Sequence, residues 1–304
     1  MSILSEAFFH DEAAAYTKLE SIVWPSGPAC PHCGGLDRIT VVTGKTARIG
    51  LRRCLDCKLQ FRVTVGTVFE SSHIPLHKWL QAAYLMCASK KGIAAHQLHR
   101  TIGVTYKTAW FMAHRLREAM KPARISRLGG KGRAVEADET YWGLKRGAKK
   151  QRGGFQHKNT IMALVERGAH VRSFHVPSAT RETVRNVLHS NVHATSHLMT
   201  DDAKHYRRVG REFARHTALN HTRKEYVRGV AHTNTVEGVF SIFKRGMTGV
   251  YQHCGEQHLH RYLTEFDFRY NHRTALGVDD ATRTTAVLSG IVGKRLTYRD
   301  SSVA

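Results

Sequence analysis

The hydrophobic pattern of the chain changes in character at about residue 130. Before that point, apolar residues between 75 and 120 recur every three or four positions and predict three helices. After it, short apolar runs predict strands at 134–142, 159–166, 170–177, 196–200 and within 215–228. Helical periodicity is interleaved with them at 181–191, 203–209, 231–246 and 256–273. The pattern therefore predicts a helical first part followed by an α/β second part.

Four of the six cysteines form two CxxC pairs that precede the three predicted helices. Cys30 and Cys33 make the first pair and Cys54 and Cys57 the second, with 20 residues between the pairs. This spacing is typical of a zinc ribbon, in which four thiolates surround one Zn²⁺ ion. A site with four cysteine ligands is closed, so we expect a structural zinc. The alternative is four unrelated buried cysteines.

The three predicted helices suit a helix-turn-helix. Gly103 makes a turn before the third helix, and Thr105 can cap it. In such a motif the N-terminal residues of the third helix reach base edges, and cations farther along it contact phosphates. We therefore predict DNA-binding roles for five residues of this helix, namely Tyr106, Lys107, Thr108, Arg115 and Arg117. Any small helical bundle has a similar pattern, so plain packing is the alternative.

The charge of the chain indicates a polyanionic partner. Lys and Arg outnumber Asp and Glu by 47 to 24, giving a formal net charge of +23. Because the cations are spread along the chain and not gathered on one amphipathic helix, nucleic acid is favoured over a membrane surface. There is no apolar run of the ~20 residues that a membrane helix needs and no basic leader. We expect a cytoplasmic, nucleoid-associated protein that does not bind membranes.

The second part has the element order of a ribonuclease-H-like fold: three strands, helix, strand, helix, strand, helix. Three carboxylates fall at informative places in that order, with Asp138 on the first strand, Asp201 ending the fourth, and Glu237 on the last helix. They are 63 and 36 residues apart, but the topology predicts that they converge. Clustered carboxylates suit Mg²⁺ or Mn²⁺, and two such ions serve in-line displacement at a phosphodiester.

Each carboxylate has a competing interpretation. Glu136 and Glu139 are alternatives to Asp138, and Asp202 is an alternative to Asp201. Asn234 and Glu237 also fit a helix-capping pattern, with Asn234 as N-cap. The periodicity of this helix puts Asn234, Glu237, Ser241 and Lys244 on one polar face.

Several long motifs resemble transposases of the bacterial ISXO type. They are CPHCGG…CLDC, the segment at 90–120, VEADETYWG at 135–143, TDDAKHY at 200–206, HTNTVEGVFSIFKRGMTGVY at 232–251 and HLHRYLTEFDFRYNHR at 258–273. The resemblance implies a catalytic triad of Asp138, Asp201 and Glu237. It also implies that Lys244 contacts DNA ends, and we group the adjacent Arg245 with it. Some members have Asn at the third catalytic position, so Asn234 stays a supporting candidate beside Glu237.

The predicted organisation follows from these signals. We divide the chain into an N-terminal helix (1–25), a zinc ribbon (26–70), a helix-turn-helix domain (71–122), a linker (123–134), a ribonuclease-H-like DDE transposase domain (135–275) and a C-terminal tail (276–304). The expected activity is cleavage at terminal inverted repeats of double-stranded DNA and transfer of the 3′-hydroxyl into target DNA. Two DNA ends require two active sites, so we expect a homodimer or higher oligomer. The alternatives are a DNA-binding protein with an inactive core and a nuclease without strand transfer.

Overall fold

The computed structural model describes residues 3–220, 223 and 225–298. These residues divide into two compact units. The first contains the described residues up to Lys121 together with those from Val278 onward, and the second contains Pro122–Gly277.

The first unit combines a small antiparallel sheet with five helices. Its strands are β1 (Ile39–Val41), β2 (Arg52–Cys54) and β3 (Gln60–Phe61), paired in the order β1-β2-β3. Its helices are α1 (Glu12–Val23), α2 (Leu76–Ala88), α3 (Ala95–Ile102), α4 (Tyr106–Ala119) and α9 (Asp280–Ser289). The turn between α3 and α4 is formed as its sequence predicts. Gly103 ends α3 with a φ of +64°, and the hydroxyl of Thr105 accepts a hydrogen bond from the amide of Thr108.

The prediction of a C-terminal tail at 276–304 is wrong where helix α9 forms, and residues 299–304 lie outside the described residues. This helix packs against α1, α2 and α4. Val287 and Leu288 on the helix and Ile291 after it are buried. The guanidinium of Arg283 donates to the carbonyl of Cys87 in α2 at 2.9 Å. The segment thus supplies part of the core of the first unit, although its few apolar residues gave a weak sequence signal.

The second unit is built on a five-stranded mixed sheet. The strands are β4 (Ala134–Leu144), β5 (Lys158–Glu166), β6 (Val171–Val176), β7 (His197–Asp201) and β8 (Arg215–Leu219), in the order β6-β5-β4-β7-β8. Strands β4, β5 and β6 are antiparallel neighbours, and β4, β7 and β8 are parallel. A separate two-stranded ribbon consists of β9 (Val227–Arg228) and β10 (Ala231–His232).

Helices cover both faces of the larger sheet. They are α5 (Arg181–Asn191), α6 (Tyr206–Val209), α7 (Asn234–Gly246) and α8 (Leu259–Asn271). One core contains Val135 and Ala137 of β4 with residues of α5 and α6. The other contains Ile161 and Ala163 of β5 with residues of α7 and α8. Side chains of a strand alternate between the two faces, so one strand contributes to both cores.

Part of the predicted linker belongs to the second unit. Leu128 is 4% exposed and lies in its core, and its amide donates to the carbonyl of Asn191 at 2.7 Å. The amides of Gly129 and Gly130 donate to side chains of Glu166 and Ser196. Among the described residues, no helix is long and apolar enough to cross a membrane.

Candidate active site and metal centre

The four cysteines of the CxxC pairs lie together in the first unit. The Sγ atoms of Cys30 and Cys57 are 3.7 Å apart, and those of Cys33 and Cys54 are 3.6 Å apart. All four sulfurs lie within 4.8 Å of one another. A tetrahedron with Zn–S bonds of about 2.3 Å has sulfurs about 3.8 Å apart. The cluster therefore fits one tetrahedral zinc ion, as the spacing predicts.

The backbone of the two cysteine loops is held in the same way. The amide of Cys30 donates to the carbonyl of Gly35 at 2.9 Å. The amide of Cys54 correspondingly donates to the carbonyl of Leu59 at 3.0 Å. A Cβ atom at Gly35 would lie 2.9 Å from the Asp56 carboxylate, so a larger residue here would require the Asp56 side chain to move. The loops are thus shaped by the backbone to present four sulfurs to one point.

Asp138 lies within the central strand β4. It pairs with Ala163 of β5, which belongs to the core on the α7 and α8 side of the sheet. On the other edge of β4, Glu136 pairs with Met199 of β7 in parallel register. Continuing that register by two residues puts Asp138 level with Asp201, where β7 ends. Two of the three predicted carboxylates are therefore on neighbouring strands.

Glu237 lies in the first turn of α7, on its exposed side. Its backbone amide donates to the carbonyl of Thr233 at 3.1 Å, and the hydroxyl of Thr233 donates to its carboxylate at 3.0 Å. These two bonds hold the start of the helix and the side chain of Glu237 together.

The electrostatics connect the three carboxylates. The pKa of Asp138 is raised to about 7, first by burial and then by the negative charges of Glu139, Asp201 and Glu237, against a lowering hydrogen bond from the Glu139 amide. Burial also raises the pKa of Asp201, with the charge of Glu139 adding to the effect. The oxygens of Asp138, Asp201 and Glu237 do not all lie within 4.8 Å of one another, unlike the four sulfurs. The carboxylates form one electrostatic cluster with open spacing.

Glu136 caps the helix that carries Glu237. Its carboxylate is fully buried and accepts hydrogen bonds from the amides of Thr235 at 2.9 Å and Val236 at 3.1 Å. The expected N-cap, Asn234, is instead the exposed first residue of α7. The local capping assignment was therefore wrong, because a strand residue 99 positions earlier satisfies the first helical amides.

Arg167 completes the Glu136 arrangement. Its Nε atom lies 2.7 Å from Glu136 Oε1, and its Nη2 atom donates to the carbonyl of His232 at 3.0 Å. A third bond joins Arg167 to the carbonyl of Val230. Sequence reasoning did not identify Arg167, because a lone arginine in a strand-to-strand turn carries no distinguishing signal.

Glu139 projects away from Asp138 and meets α6. The hydroxyl of Tyr206 donates to its carboxylate, and His205 Nε2 lies 3.3 Å from its Oε1 atom. The pKa of His205 is lowered by burial but is raised overall by its bond to Glu139 and by the charges around it. Glu136 and Glu139, the two alternatives to Asp138, thus both have buried partners of their own.

The remaining predicted residues of α7 are exposed. Lys244 lies two turns beyond Glu237, and Arg245 donates from Nε to the carbonyl of Ser241 at 3.2 Å. Residues seven positions apart on a helix point in nearly the same direction, about 10 Å apart along the axis. The predicted pairing of Glu237 and Lys244 on one helix face therefore fits the helix that forms.

The start of α4 is also accessible. Tyr106 is 45% exposed and stacks on His96 with ring centroids 4.2 Å apart. Lys107 is exposed, and Thr108 is partly exposed while its amide bonds the capping hydroxyl. These residues remain available to a partner.

The predicted phosphate contacts of Arg115 and Arg117 do not fit. Arg115 is 9% exposed and Arg117 is 2% exposed. The guanidinium of Arg115 donates to the carbonyls of Leu296 and Glu70. Arg115 is structural because Leu296, after α9, covers its side of α4, and Arg117 is buried as well. The helical period alone does not reveal this burial.

Comparison with known proteins agrees with the expected resemblance. Residues 127–271 match the family described as ISXO2-like transposase domain, and residues 10–60 match the transposase zinc-ribbon domain. An uncharacterized protein in transposable element ISH50 of Halobacterium salinarum is 30% identical over 280 residues, covering 86% of this chain and 91% of that protein.

Among solved structures, a chain of the simian T-cell lymphotropic virus intasome in complex with PP2A regulatory subunit B56 gamma is a distant neighbour. Its TM-score is 0.31 at 16% identity, with 56% of this chain and 63% of that chain covered. A likeness this low supports no inference. The family matches and the relative from a transposable element show that the chain belongs to the ISXO2-like family of insertion-sequence transposases.

Proposed function

We propose that this transposase binds the terminal inverted repeats of its element, cleaves a strand at each end and joins the freed 3′-hydroxyl to target DNA. The observation that carries the proposal is the parallel register of β4 and β7, which when continued puts Asp138 level with Asp201; after burial, the charges of Glu139, Asp201 and Glu237 all raise the pKa of Asp138. Three acids from two strands and a helix act on one point, although they are far apart in sequence. Such an arrangement suits a metal-dependent phosphodiester reaction.

The sheet supports a ribonuclease-H-like core. Counted within the second unit, its strands are in the order third, second, first, fourth, fifth, and only the second strand runs antiparallel to the other four. A parallel pair brings equivalent residues to the same edge, here Asp138 and Asp201. The last helix pair, α7 and α8, covers the face to which Asp138 belongs.

The carboxylates fit a hard divalent cation. Their donors are all oxygens, which Mg²⁺ and Mn²⁺ prefer. Burial is the first cause of the raised pKa of Asp138, and the charges of Glu139, Asp201 and Glu237 add to it; a bound cation would neutralise those charges. Asp138, Asp201 and Glu237 would hold two ions, which when bound activate the nucleophile and stabilise the leaving oxygen.

Four further residues support this site, two by positioning Glu237 and two as cations for DNA. Glu136 and Arg167 fix the start of α7 to β4, so that Glu237 keeps its place relative to Asp138. Lys244, exposed two turns farther along, supplies a cation for the phosphate backbone of a DNA end, with Arg245 beside it. No covalent protein–DNA bond is needed, because the nucleophile is water and then DNA.

The first unit supplies DNA recognition. Helices α3 and α4 meet at the Gly103 turn with α2 packed against both, which supports a helix-turn-helix. The exposed Tyr106 and Lys107 with Thr108 would meet base edges, and the four cysteines would hold a structural zinc in the ribbon. Acting on two element ends requires at least a dimer on DNA.

The experiment is cleavage of DNA that carries the element's inverted repeats, with Mg²⁺ or Mn²⁺. The wild type is expected to cut and Asp138→Asn to be inactive. An inert wild type on correct ends would favour a DNA-binding protein with an inactive core. Cleavage without joined donor–target products would favour a nuclease.

The third catalytic residue has its own comparison. We propose Glu237, because its charge acts on Asp138, and Asn234 as a supporting residue. Glu237→Gln is expected to abolish cleavage, whereas Asn234→Ala is expected to retain it. Loss of cleavage in the Asn234 variant alone would reverse the assignment.

A further inference from the structure

We propose that the β4–β5 hairpin binds an unpaired nucleobase of DNA on the ring of Phe155. This inference rests on the proposed function, since it concerns the strand on which the carboxylates would act. Its basis is a pair of stacked aromatic rings at the root of a basic loop.

The hairpin extends beyond the edge at which the carboxylates lie. Strand β7 ends at Asp201, level with Asp138, and β4 continues to Leu144. Within the described sheet, residues 139–144 of β4 pair with β5 alone. The loop that joins these strands therefore projects past the candidate active site.

Two aromatic rings form a flat platform on this hairpin. The centroids of Tyr141 and Phe155 are 4.4 Å apart, and their planes are 6° from parallel. Phe155 is 54% exposed. The solvent-exposed part of this ring can stack a base, because every base has a π-face.

The loop carries a strong positive charge. Residues 145–158 contain six Lys or Arg and no Asp or Glu. Lys149, Lys150 and Arg152 are exposed. The ammonium of Lys158 lies over the Phe155 ring, 5.4 Å from its centroid, and an incoming base would exchange this cation–π contact for stacking while the ammonium turns to the nucleotide's phosphate. The charge favours a nucleic acid strand over an apolar protein surface.

The base of the loop is anchored. Lys145 donates from Nζ to the carbonyl of Pro177 at 3.0 Å, and its amide donates to the carbonyl of His157 at 2.9 Å. The amide of Arg146 donates to the carboxylate of Glu256. The rings therefore stand on a fixed support, as a stacking site requires.

The platform is electrostatically connected to the candidate active site. Tyr141 lies three residues after Asp138 on β4, about 10 Å along the strand and on the opposite face of the sheet, which it shares with Glu139. Burial raises the pKa of Tyr141, and the charges of Glu139, Asp138 and Asp201 raise it further. Bases inside a duplex already stack on their neighbours, so the platform selects bases exposed at a strand end or a locally opened pair.

The test uses the full-length protein without divalent cations, so that binding is measured without cleavage. The probes are a single-stranded oligonucleotide carrying 2-aminopurine and the same oligonucleotide fully paired. Phe155→Leu keeps apolar bulk but removes the ring, and we expect it to weaken single-strand binding about tenfold and to abolish quenching of 2-aminopurine. Phe155→Trp is expected to retain both, and Tyr226→Leu is the matched change of an exposed aromatic elsewhere in the unit.

A second variant separates stacking from charge. Replacing Lys149, Lys150 and Arg152 by Gln should weaken single-stranded and duplex DNA alike, with a smaller salt dependence. Equal single-strand affinity and quenching for wild type and Phe155→Leu would overturn the proposal. That result would leave metal-dependent cleavage intact, whereas loss of the proposed function would appear as an inert wild type whatever residue 155 is.

Discussion

The buried carboxylate of Glu136 lies 2.9 Å from the amide nitrogen of Thr235, so a residue of the central strand caps the helix that carries Glu237. Arg167 balances this carboxylate and bonds the carbonyls that lead into the helix. The position of Glu237 is therefore fixed by β4, the strand on which Asp138 also lies.

Removing that carboxylate should loosen the start of α7. Glu136→Ala leaves two helical amides and the Arg167 guanidinium without their partner, and loss of one member of a buried charged pair costs about 3–5 kcal/mol. Hydrogen–deuterium exchange of the peptide covering 231–246 is expected to accelerate. Glu182→Gln, a change of an exposed first-turn acid on α5, is the control and should not alter that peptide. Unchanged exchange in Glu136→Ala would show that the cap does not hold the helix.

Zinc should be bound at one ion per chain by the four thiolates. Cys54→Ser is expected to lower the zinc content sharply and to make the ribbon sensitive to protease, because a structural zinc site contributes directly to folding. Elemental analysis and limited proteolysis measure the two effects. Cys254→Ser, outside the cluster, should retain zinc. Zinc retained in full by the Cys54 variant would contradict the four-thiolate site.

The second cysteine loop contains a strained backbone position. Lys58 has a φ of +61°, whereas the corresponding residue of the first loop, Gly34, has a φ of +78°. Lys58→Gly is expected to tighten zinc binding by about 0.5–1 kcal/mol, since glycine adopts this conformation without a Cβ clash. Gly34→Ala should weaken zinc binding by a similar amount. No other group lies within 4 Å of the added Cβ, so the backbone conformation alone sets the cost. Competition with a chromophoric chelator measures the zinc affinity of both variants. If both affinities change in the same direction, backbone strain at these positions does not control zinc binding.

Loss of the proton from Asp138 should make the second unit less stable as the pH rises. The pKa of Asp138 is about 7 in the folded chain, raised first by burial, against about 3.9 for an unfolded Asp. Between about pH 4 and pH 7 the folded state therefore holds more protons, and the free energy of unfolding falls as pH increases. Thermal unfolding without divalent cations should show this slope in the wild type and a flatter one in Asp138→Asn. Identical slopes would exclude Asp138 as the source, and added Mg²⁺ is expected to reduce the loss.

Two cations of α4 should behave differently toward DNA. Lys107→Gln removes a cation that we place at base edges, so it should weaken binding to the inverted repeats by about 1–3 kcal/mol and lower the slope of log affinity against log salt. Arg115→Gln should leave that slope unchanged and lower stability instead, because buried carbonyls lose their donor. Salt titrations of binding paired with thermal unfolding distinguish the two, and the reverse result would restore Arg115 to the DNA surface.

Regular periodicity made much of the fold predictable from the sequence. Helix 181–191 forms over its predicted span. The strands carrying Asp138 and Asp201 end within two residues of their predicted bounds. These elements were predictable because their apolar residues are confined to the faces that enter the two cores. The cysteine cluster was predictable because thiolate spacing has few other uses in a chain of this length.

Contacts between distant parts of the chain were not predictable in this way. Asn234 matched a local capping pattern, but the cap comes from Glu136 in the sheet. Arg115 was predicted to be exposed on an isolated helix, but Leu296 covers that side of α4. In both cases a short-range rule gave way to a partner that only the complete topology brings near.

The return of helix α9 to the first unit has a consequence for how the protein is made. A ribosome delivers the ribbon and helices α1 to α4 first, then the whole of the second unit, and only afterwards the residues that fill the core beneath Leu288 and Ile291. During synthesis the second unit can complete its sheet while the first still has an open apolar face. Maturation of the first unit therefore waits for the last part of the described chain to leave the ribosome.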